Sequence, residues 1–346
     1  MTCEAIESEI FVSNNGKKYN LTTTLDRSGK SRSFGSYLAM FLWVGWTSFY
    51  FFFTLSLPIV YIYRDNKYLL YTYTTIFSFM IISAIFPINR KLQPKLAFKL
   101  GEWIMNNAAD YFKMRVIHEN LNEINKHKQV VYALEPHDVL PLSIFVFNDC
   151  LNTFPGQKCL GCVTGACFNV PLMRHMYTWV NATDVGKKNL LKLISNGISP
   201  VICPGGVQEV TLMSSKDECV LYLKERKGFV KLAIQHGLPL VPAFTFGLKD
   251  SFDYWVPKGK FWTKLARQIG FLPMAFFGVF SLPLGPAKPV QYTVIAGSPI
   301  IVGAANPEPT IEEINKYHSM YIEELVALYE RHKGAHGMDD IVLRIA

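Results

Sequence analysis

At 346 residues, the chain can hold two domains or one large domain with a membrane appendage. Half of it is hydrophobic, its mean hydropathy is +0.16 and its formal net charge is +8, a balance that points to a membrane surface or a phosphate-rich ligand. Its basic residues are spread along the chain in no RNP, zinc-finger or basic-region pattern, which argues against nucleic acid as a partner.

Residues 1–33 are polar and read as a flexible tail; Glu4, Glu7 and Glu9 speak against a transit peptide. From Phe34 to Tyr63, 30 residues pass without a charge, more than the roughly 20 needed to cross a bilayer. Arg64-Asp65-Asn66-Lys67 interrupts, and Tyr68 to Asn89 is uncharged again. The pair predicts a transmembrane helical hairpin over 34–89, with Pro58 as a kink in its first arm. Lys17, Lys18, Arg27, Lys30 and Arg32 precede it, and Arg90, Lys91, Lys95 and Lys99 follow it. The turn carries only Arg64 and Lys67, so the positive-inside rule puts both ends in the cytosol. In that orientation the sequons at Asn20 and Asn181 stay unglycosylated.

From Pro94 to about Lys128 the apolar spacing of Leu96, Leu100, Trp103, Ile104, Tyr111 and Phe112 predicts amphipathic helix. Lysines beside it suit either a membrane-surface helix or a domain edge. From Val130 onward strand-like and helix-like runs alternate. Val130–Leu134, Ser199–Cys203, Leu238–Phe246 and Val290–Ala296 read as strands, while Leu142–Phe147 is helix or strand. Lys187–Asn196, Lys224–His236 and Thr310–Arg331 read as helices; Gly197 and Gly237 stop the first two and Thr310 caps the third. The expectation is an α/β fold over 90–346, a central, mostly parallel sheet with flanking helices. Gln268–Ala287 is uncharged but broken by glycine and proline, which suits a lipid-facing or acyl-lining segment, or buried core.

Seven cysteines (Cys3, Cys150, Cys159, Cys162, Cys167, Cys203 and Cys219) form an odd set in largely apolar settings, which reads as reduced thiols. Cys159-x-x-Cys162 lacks a second ligand pair, so no metal is expected.

Ligands of open α/β sheets bind beyond the carboxyl ends of the strands. The first strand ends at Glu135-Pro136-His137-Asp138, and Pro136 stops it for want of an N–H. The second ends at Pro204-Gly205-Gly206-Val207-Gln208-Glu209. If the two strands are parallel neighbours, these turns share one crevice. His137 is a general base for an alcohol. Glu135, Asp138 or Glu209 is the acid that orients it, and Glu209 can instead cap the next helix. Gly205 and Gly206 let backbone N–H groups approach a ligand oxygen, as an oxyanion or phosphate nest. Arg226, Lys227 and Lys231 suit phosphates or a solvated basic face. No Gly-x-Ser-x-Gly elbow or P-loop occurs, and no neighbour in sequence lowers the pKa of Cys203.

Glu135-Pro136-His137, Arg174-His175-Met176-Tyr177-Thr178-Trp179, Pro204-Gly205-Gly206-Val207-Gln208-Glu209, and the block from Arg226-Lys227-Gly228 to Phe246-Gly247 stand in one order. In that order and spacing the chain resembles the type 2 diacylglycerol acyltransferase family, from the hairpin to about residue 300. Glu-Pro-His resembles its plant and algal branch, and Asp138 departs from the small residue usual after the histidine. The resemblance implies an acyl-CoA-dependent enzyme of the endoplasmic reticulum that acylates diacylglycerol to triacylglycerol, often associated with lipid droplets. Acyl-CoA is then a co-substrate, membrane lipids are partners, and no cofactor is needed. A homo-oligomer stays open. The resemblance adds Pro136, Arg174 and His175 to the substrate-binding set. Related glycerolipid acyltransferases carry Asp four residues after the histidine; here that position is Pro141. Rival expectations are a monoacylglycerol or fatty-alcohol acceptor, or a non-catalytic lipid-droplet protein anchored by the hairpin.

Overall fold

The structure is a computed structural model that describes residues 7–13, 16–147, 150–151, 153–154, 156–270 and 272–346. Cys3 and Glu4 lie outside them. The elements run β1 (Glu7–Val12), β2 (Lys18–Asp26), α1 (Phe34–Val44), α2 (Trp46–Ile62), α3 (Lys67–Ile85), α4 (Lys95–Tyr111), β3 (Arg115–His118), α5 (Leu121–Asn125), β4 (Val131–Glu135), β5 (Lys158–Val163), α6 (Met173–Trp179) and β6 (Thr183–Asp184). They continue as α7 (Lys187–Ser195), β7 (Ile198–Ile202), α8 (Gly206–Leu212), β8 (Glu218–Leu221), α9 (Gly228–His236), β9 (Leu240–Phe246), β10 (Asp253–Trp255), α10 (Lys260–Ile269), β11 (Ala275–Phe277), β12 (Thr293–Ala296), α11 (Ile311–His332) and β13 (Val342–Ile345).

Nine strands form one sheet in the order β1-β2-β3-β12-β9-β4-β7-β5-β6. The block β9-β4-β7-β5-β6 is parallel, as the strand–helix alternation predicts. β12 meets β9 antiparallel, and β1 and β2 add antiparallel strands at one edge, so the whole sheet is mixed rather than mostly parallel. One face packs against α1, α4, α6, α8 and α10; the other packs against α7, α9 and α11. Predicted helix signals are realised: Gly237 takes a left-handed conformation after α9, and the Thr310 hydroxyl accepts from Glu313 N at 3.1 Å.

Several expectations change. The tail is not free of structure: β2 adds to the sheet edge, its Tyr19 and Leu21 packing one face. A bulge between Thr23 and Leu25 turns Leu25 to the other face. The long amphipathic run ends at Tyr111, and Arg115–His118 leaves it as β3, because pairing with β12 overrides local helical spacing. The first uncharged run is not one helix. α1 buries Ala39, Met40, Trp43 and Val44 in the core, and the chain bends 63° into α2. At Gly45 a Cβ would stand 2.3 Å from the Phe41 carbonyl oxygen. α3 is long and apolar enough to cross a membrane and only 6% of it is buried; α1 and α2 together make a second such span if the bent pair counts as one. Phe53 of α2 stacks on Tyr73 of α3 at 5.3 Å.

The 268–287 segment contains β11, paired with β10, and a turn with Phe280 81% exposed. Thr47 and Ser48, at the start of α2, donate to the carbonyls of Leu284 and Pro283 in that turn.

Candidate active site

β4 lies between β9 and β7, and every one of its residues is buried. Its apolar run places the chain break at the carboxyl end of the parallel block, where Pro136 follows through a cis peptide bond. His137 emerges there half-buried. Asp138 adopts φ +51°, a left-handed conformation that Asp tolerates better than most residues, and its Oδ1 accepts from Val139 N at 2.6 Å.

His137 Nδ1 lies 2.9 Å from the Asp138 carbonyl oxygen. A carbonyl only accepts, so Nδ1 carries the hydrogen and Nε2 keeps its lone pair. Burial pushes this imidazole down to about 4, so it is neutral at pH 7. The ring is therefore oriented by backbone, where a carboxylate was expected.

The carboxylates do other work. Glu209 Oε1 accepts from the backbone N–H of His137 at 2.6 Å and of Asp138 at 3.3 Å. It clamps the loop that carries His137 by its backbone. Glu135 accepts from Gly205 N at 3.0 Å and from the Cys203 thiol at 3.3 Å. Burial pushes Glu135 up to about 7, and Arg226 offsets part of that rise without forming an ion pair. Burial and then repulsion from Glu135 push Glu209 well above the carboxylate range. Two sealed carboxyls side by side each disfavour the other's ionisation, which adds to the upward shift that burial causes. Burial also raises Asp138 to about 6, with Asp250 adding to the rise and Lys216 and Lys249 opposing it.

The paired glycines close this arrangement. A Cβ on Gly205 would stand 2.2 Å from Glu209 Oε2 and 3.4 Å from Glu135 Oε2, so only glycine fits between the two carboxyls. Gly206 takes φ +56° and its N–H is directed at the Cys203 sulfur. Both amides expected to meet a ligand oxygen thus have partners inside the protein. Beside them, Pro136, Asp138, Glu209, Lys216, Lys249 and Tyr254 line a cavity of only about 30 Å³.

The outer residues separate. Arg226 lies over the Tyr222 ring at 5.2 Å, and its Nε is buried with no hydrogen-bond partner. Lys227 donates to Asn315 of α11 at 2.7 Å, whereas Lys231 is exposed. Arg174 and His175 make their contacts with the end of α3. Arg174 donates to the Ala84 carbonyl, and His175 Nε2 lies 2.9 Å from the Ser83 carbonyl. Together they grip the end of α3. One neighbour escaped the sequence reading: Arg267 of α10 donates to Gln208 Oε1 at 2.7 Å, and Gln208 Nε2 is buried without a partner. Gln208 lies inside the Gly-Gly-Val-Gln-Glu turn, which was the available signal.

The family model for diacylglycerol acyltransferase matches residues 61–345, starting inside the hairpin and running well past residue 300. The chain belongs to the diacylglycerol acyltransferase family. It is 29% identical over 276 residues to diacylglycerol O-acyltransferase 2 of Homo sapiens, covering 71% of this chain and 68% of that one. It is 32% identical over 270 residues to 2-acylglycerol O-acyltransferase 1 of Bos taurus, covering 71% and 79%. It is 32% identical over 278 residues to diacylglycerol O-acyltransferase 1 of Eremothecium gossypii, covering 75% and 59%. No solved structure is significantly similar. The family match takes in every element that builds the His137 end of the sheet.

Proposed function

We propose that this chain transfers a fatty acyl group from acyl-CoA to the free hydroxyl of diacylglycerol, with His137 as general base. The carrying observation is the tautomer: Nδ1–H is spent on the Asp138 carbonyl, which leaves Nε2 to accept a proton. Nε2 takes the hydroxyl proton as the oxygen attacks the thioester carbonyl. Collapse of the tetrahedral intermediate breaks the C–S bond, and the leaving thiolate receives the proton back from the imidazolium. Glu209 positions the base by holding its backbone. Gly205 and Gly206 would serve the oxyanion only if their amides exchange Glu135 and Cys203 for substrate. Arg226 and Lys231 remain candidates for the CoA phosphates; Lys227 would first have to leave Asn315. No cofactor takes part. α3 and the bent α1–α2 pair enter the endoplasmic reticulum membrane as a hairpin with both termini cytosolic, and lipid droplets are a second location.

The assay measures triacylglycerol from labelled acyl-CoA in membranes of a strain without its own activity. His137→Ala should cost about 10²–10⁴-fold; a rate close to the parent's removes His137 from the reaction. The relationship to 2-acylglycerol O-acyltransferases supports monoacylglycerol as a second acceptor. Competition among diacylglycerol, monoacylglycerol and a fatty alcohol decides the order. A chain that binds droplets and turns nothing over would be the non-catalytic anchor protein instead. A glycosidase-sensitive mass shift at Asn20 or Asn181 would reverse the orientation.

A further inference from the structure

A second cavity among the described residues lies away from His137. It holds about 590 Å³ and lies at the β5–β6 edge of the sheet, under α7 and beside the connection that leaves α3. It shares no lining residue with the small cavity beside Asp138 and Glu209. Its volume falls in the range of small-molecule sites.

The lining is sorted by chemistry. Leu160 and Leu193 form a buried apolar floor, and Ile88, Phe168 and Ile198 continue it half-buried. Arg90, Lys158 and Lys192 are exposed and come from three separate elements, the post-α3 connection, β5 and α7; Arg90 donates to Asn181 Oδ1 and lies over the Phe98 ring at 5.3 Å, neither of which neutralises its charge. The one acid in the lining is Asp184, so three cations against one anion leave a balance of +2. Cations over an apolar floor fit an amphiphile with an anionic head. A phosphate monoester carries about −1.5 to −2 at neutral pH, which matches that balance; a carboxylate or a zwitterionic diester does not. Arg90 also follows α3 within five residues, and Ile85 at the helix end is 76% exposed, so an apolar chain can enter from the hairpin side.

We propose that this cavity is a lipid site separate from the acyl-transfer centre and that it takes a phosphate-monoester-headed glycerolipid, a phosphatidate. The phosphate sits among Arg90, Lys158 and Lys192, and the start of one acyl chain lies along Leu160, Leu193 and Ile198. Access from the bilayer rests on the membrane placement of α3 proposed above. The pairing of head and cations does not.

The test uses the full chain in neutral detergent micelles. Thermal stability is followed while phosphatidate is added, with diacylglycerol of the same chains, phosphatidylcholine, inorganic phosphate and acyl-CoA as separate arms. Phosphatidate should raise the melting temperature where phosphatidylcholine and inorganic phosphate do not, and its shift should persist when diacylglycerol or acyl-CoA, which stabilise the chain through the acyl-transfer centre, are already present. Lys158→Ala/Lys192→Ala should weaken its binding by about a hundredfold or more, roughly tenfold for each lost charge-assisted contact. Lys158→Arg/Lys192→Arg should keep it. Basal acyl transfer without phosphatidate should be unchanged in both. Equal stabilisation by inorganic phosphate would leave an anion site without a lipid and overturn the proposal. Displacement of phosphatidate by acyl-CoA would make the cavity part of the substrate site and overturn it too. A photoactivatable phosphatidate on the parent chain gives an answer independent of how the variants fold: it should label the peptide around 187–198, and labelling confined elsewhere overturns the site. Membrane extraction tests the α3 placement on its own, so the two readings fail separately.

Discussion

Glu119 and Glu135 both stand at the end of a sheet strand and both are 0% exposed. β3 runs opposite to β4, so the two carboxylates lie at opposite ends of the sheet. Glu119 is fully paired. Arg331 meets it with two hydrogen bonds, at 2.9 and 2.8 Å, and His332 Nε2 lies 2.9 Å away. Arg331 also bridges to Glu324 at 2.7 Å and covers the Tyr19 ring at 4.5 Å, so the knot ties α11 to the β2–β3 edge. Glu135 has no cation in contact; its neighbours are a backbone amide, a thiol and a second buried carboxyl. A buried charge that only holds the fold is neutralised by opposite charge. Burial raises the pKa of Glu135 and Glu209 instead, which leaves titratable groups behind His137, the kind of perturbation that clusters at functional sites.

Removing each carboxylate tests this contrast. Glu119→Ala should have the largest effect on stability, about 3 kcal/mol, because it removes the buried carboxylate from His332 and leaves Arg331 with Glu324 alone; a denaturant or thermal melt checks it. A loss below about 1 kcal/mol would mean that the knot is not structural. Gly205→Ala forces a Cβ against the Glu209 carboxyl and should cost about 1–3 kcal/mol, and it should lower acyl transfer by displacing the clamp on His137.

Glu135→Gln replaces a carboxyl that is substantially protonated at neutral pH and should cost about 1 kcal/mol or less. Its signature lies in pH dependence. The folded value of Glu135 is raised from 4.5 to about 7, so its contribution to stability is full below pH 4.5 and lost as pH rises through about 7. The glutamine variant should flatten that decline. His137 has the opposite sign. Its folded value lies near 4, so its contribution is present above pH 6.5 and lost as pH falls through about 4. For the same reason, the acid limb of acyl transfer should fall near pH 4 rather than near 6.5. A limb near 6.5 that disappears with His137 would contradict the burial that sets its state.

Much of the active end was legible in the sequence. Val130–Leu134 and Leu238–Phe246 read as strands, realised as β4 and β9, because their apolar runs are continuous, as parallel strands buried on both faces require. His137 and Gly205 were found at strand ends for the same topological reason. β3 was hidden inside a helical pattern, since only β12 decides the conformation of Arg115–His118. β5 was hidden because Cys159, Leu160, Gly161 and Cys162 resemble scattered small hydrophobes until β7 pairs with them. The Thr22-Thr23-Thr24 run is β-branched and could have flagged β2. Partner choice was the least legible. The contacts of Arg174 and His175 with Ala84 and Ser83 at the end of α3 have no signal in their own motif.

The roots of the apolar hairpin are fastened on both sides. Thr47 and Ser48 hold the 283–284 turn where α2 departs, and Ser83 and Ala84 meet α6 and its lead-in where α3 returns, with Leu172 N donating to Ser83 Oγ at 2.6 Å. A foreign helix pair spliced in place of residues 46–89 would copy the length and apolar character of α2 and α3. It would also strip those polar groups of their partners and unfasten α6 and the 275–286 turn together, so the hairpin behaves as a keystone of the catalytic body and not as an interchangeable tether.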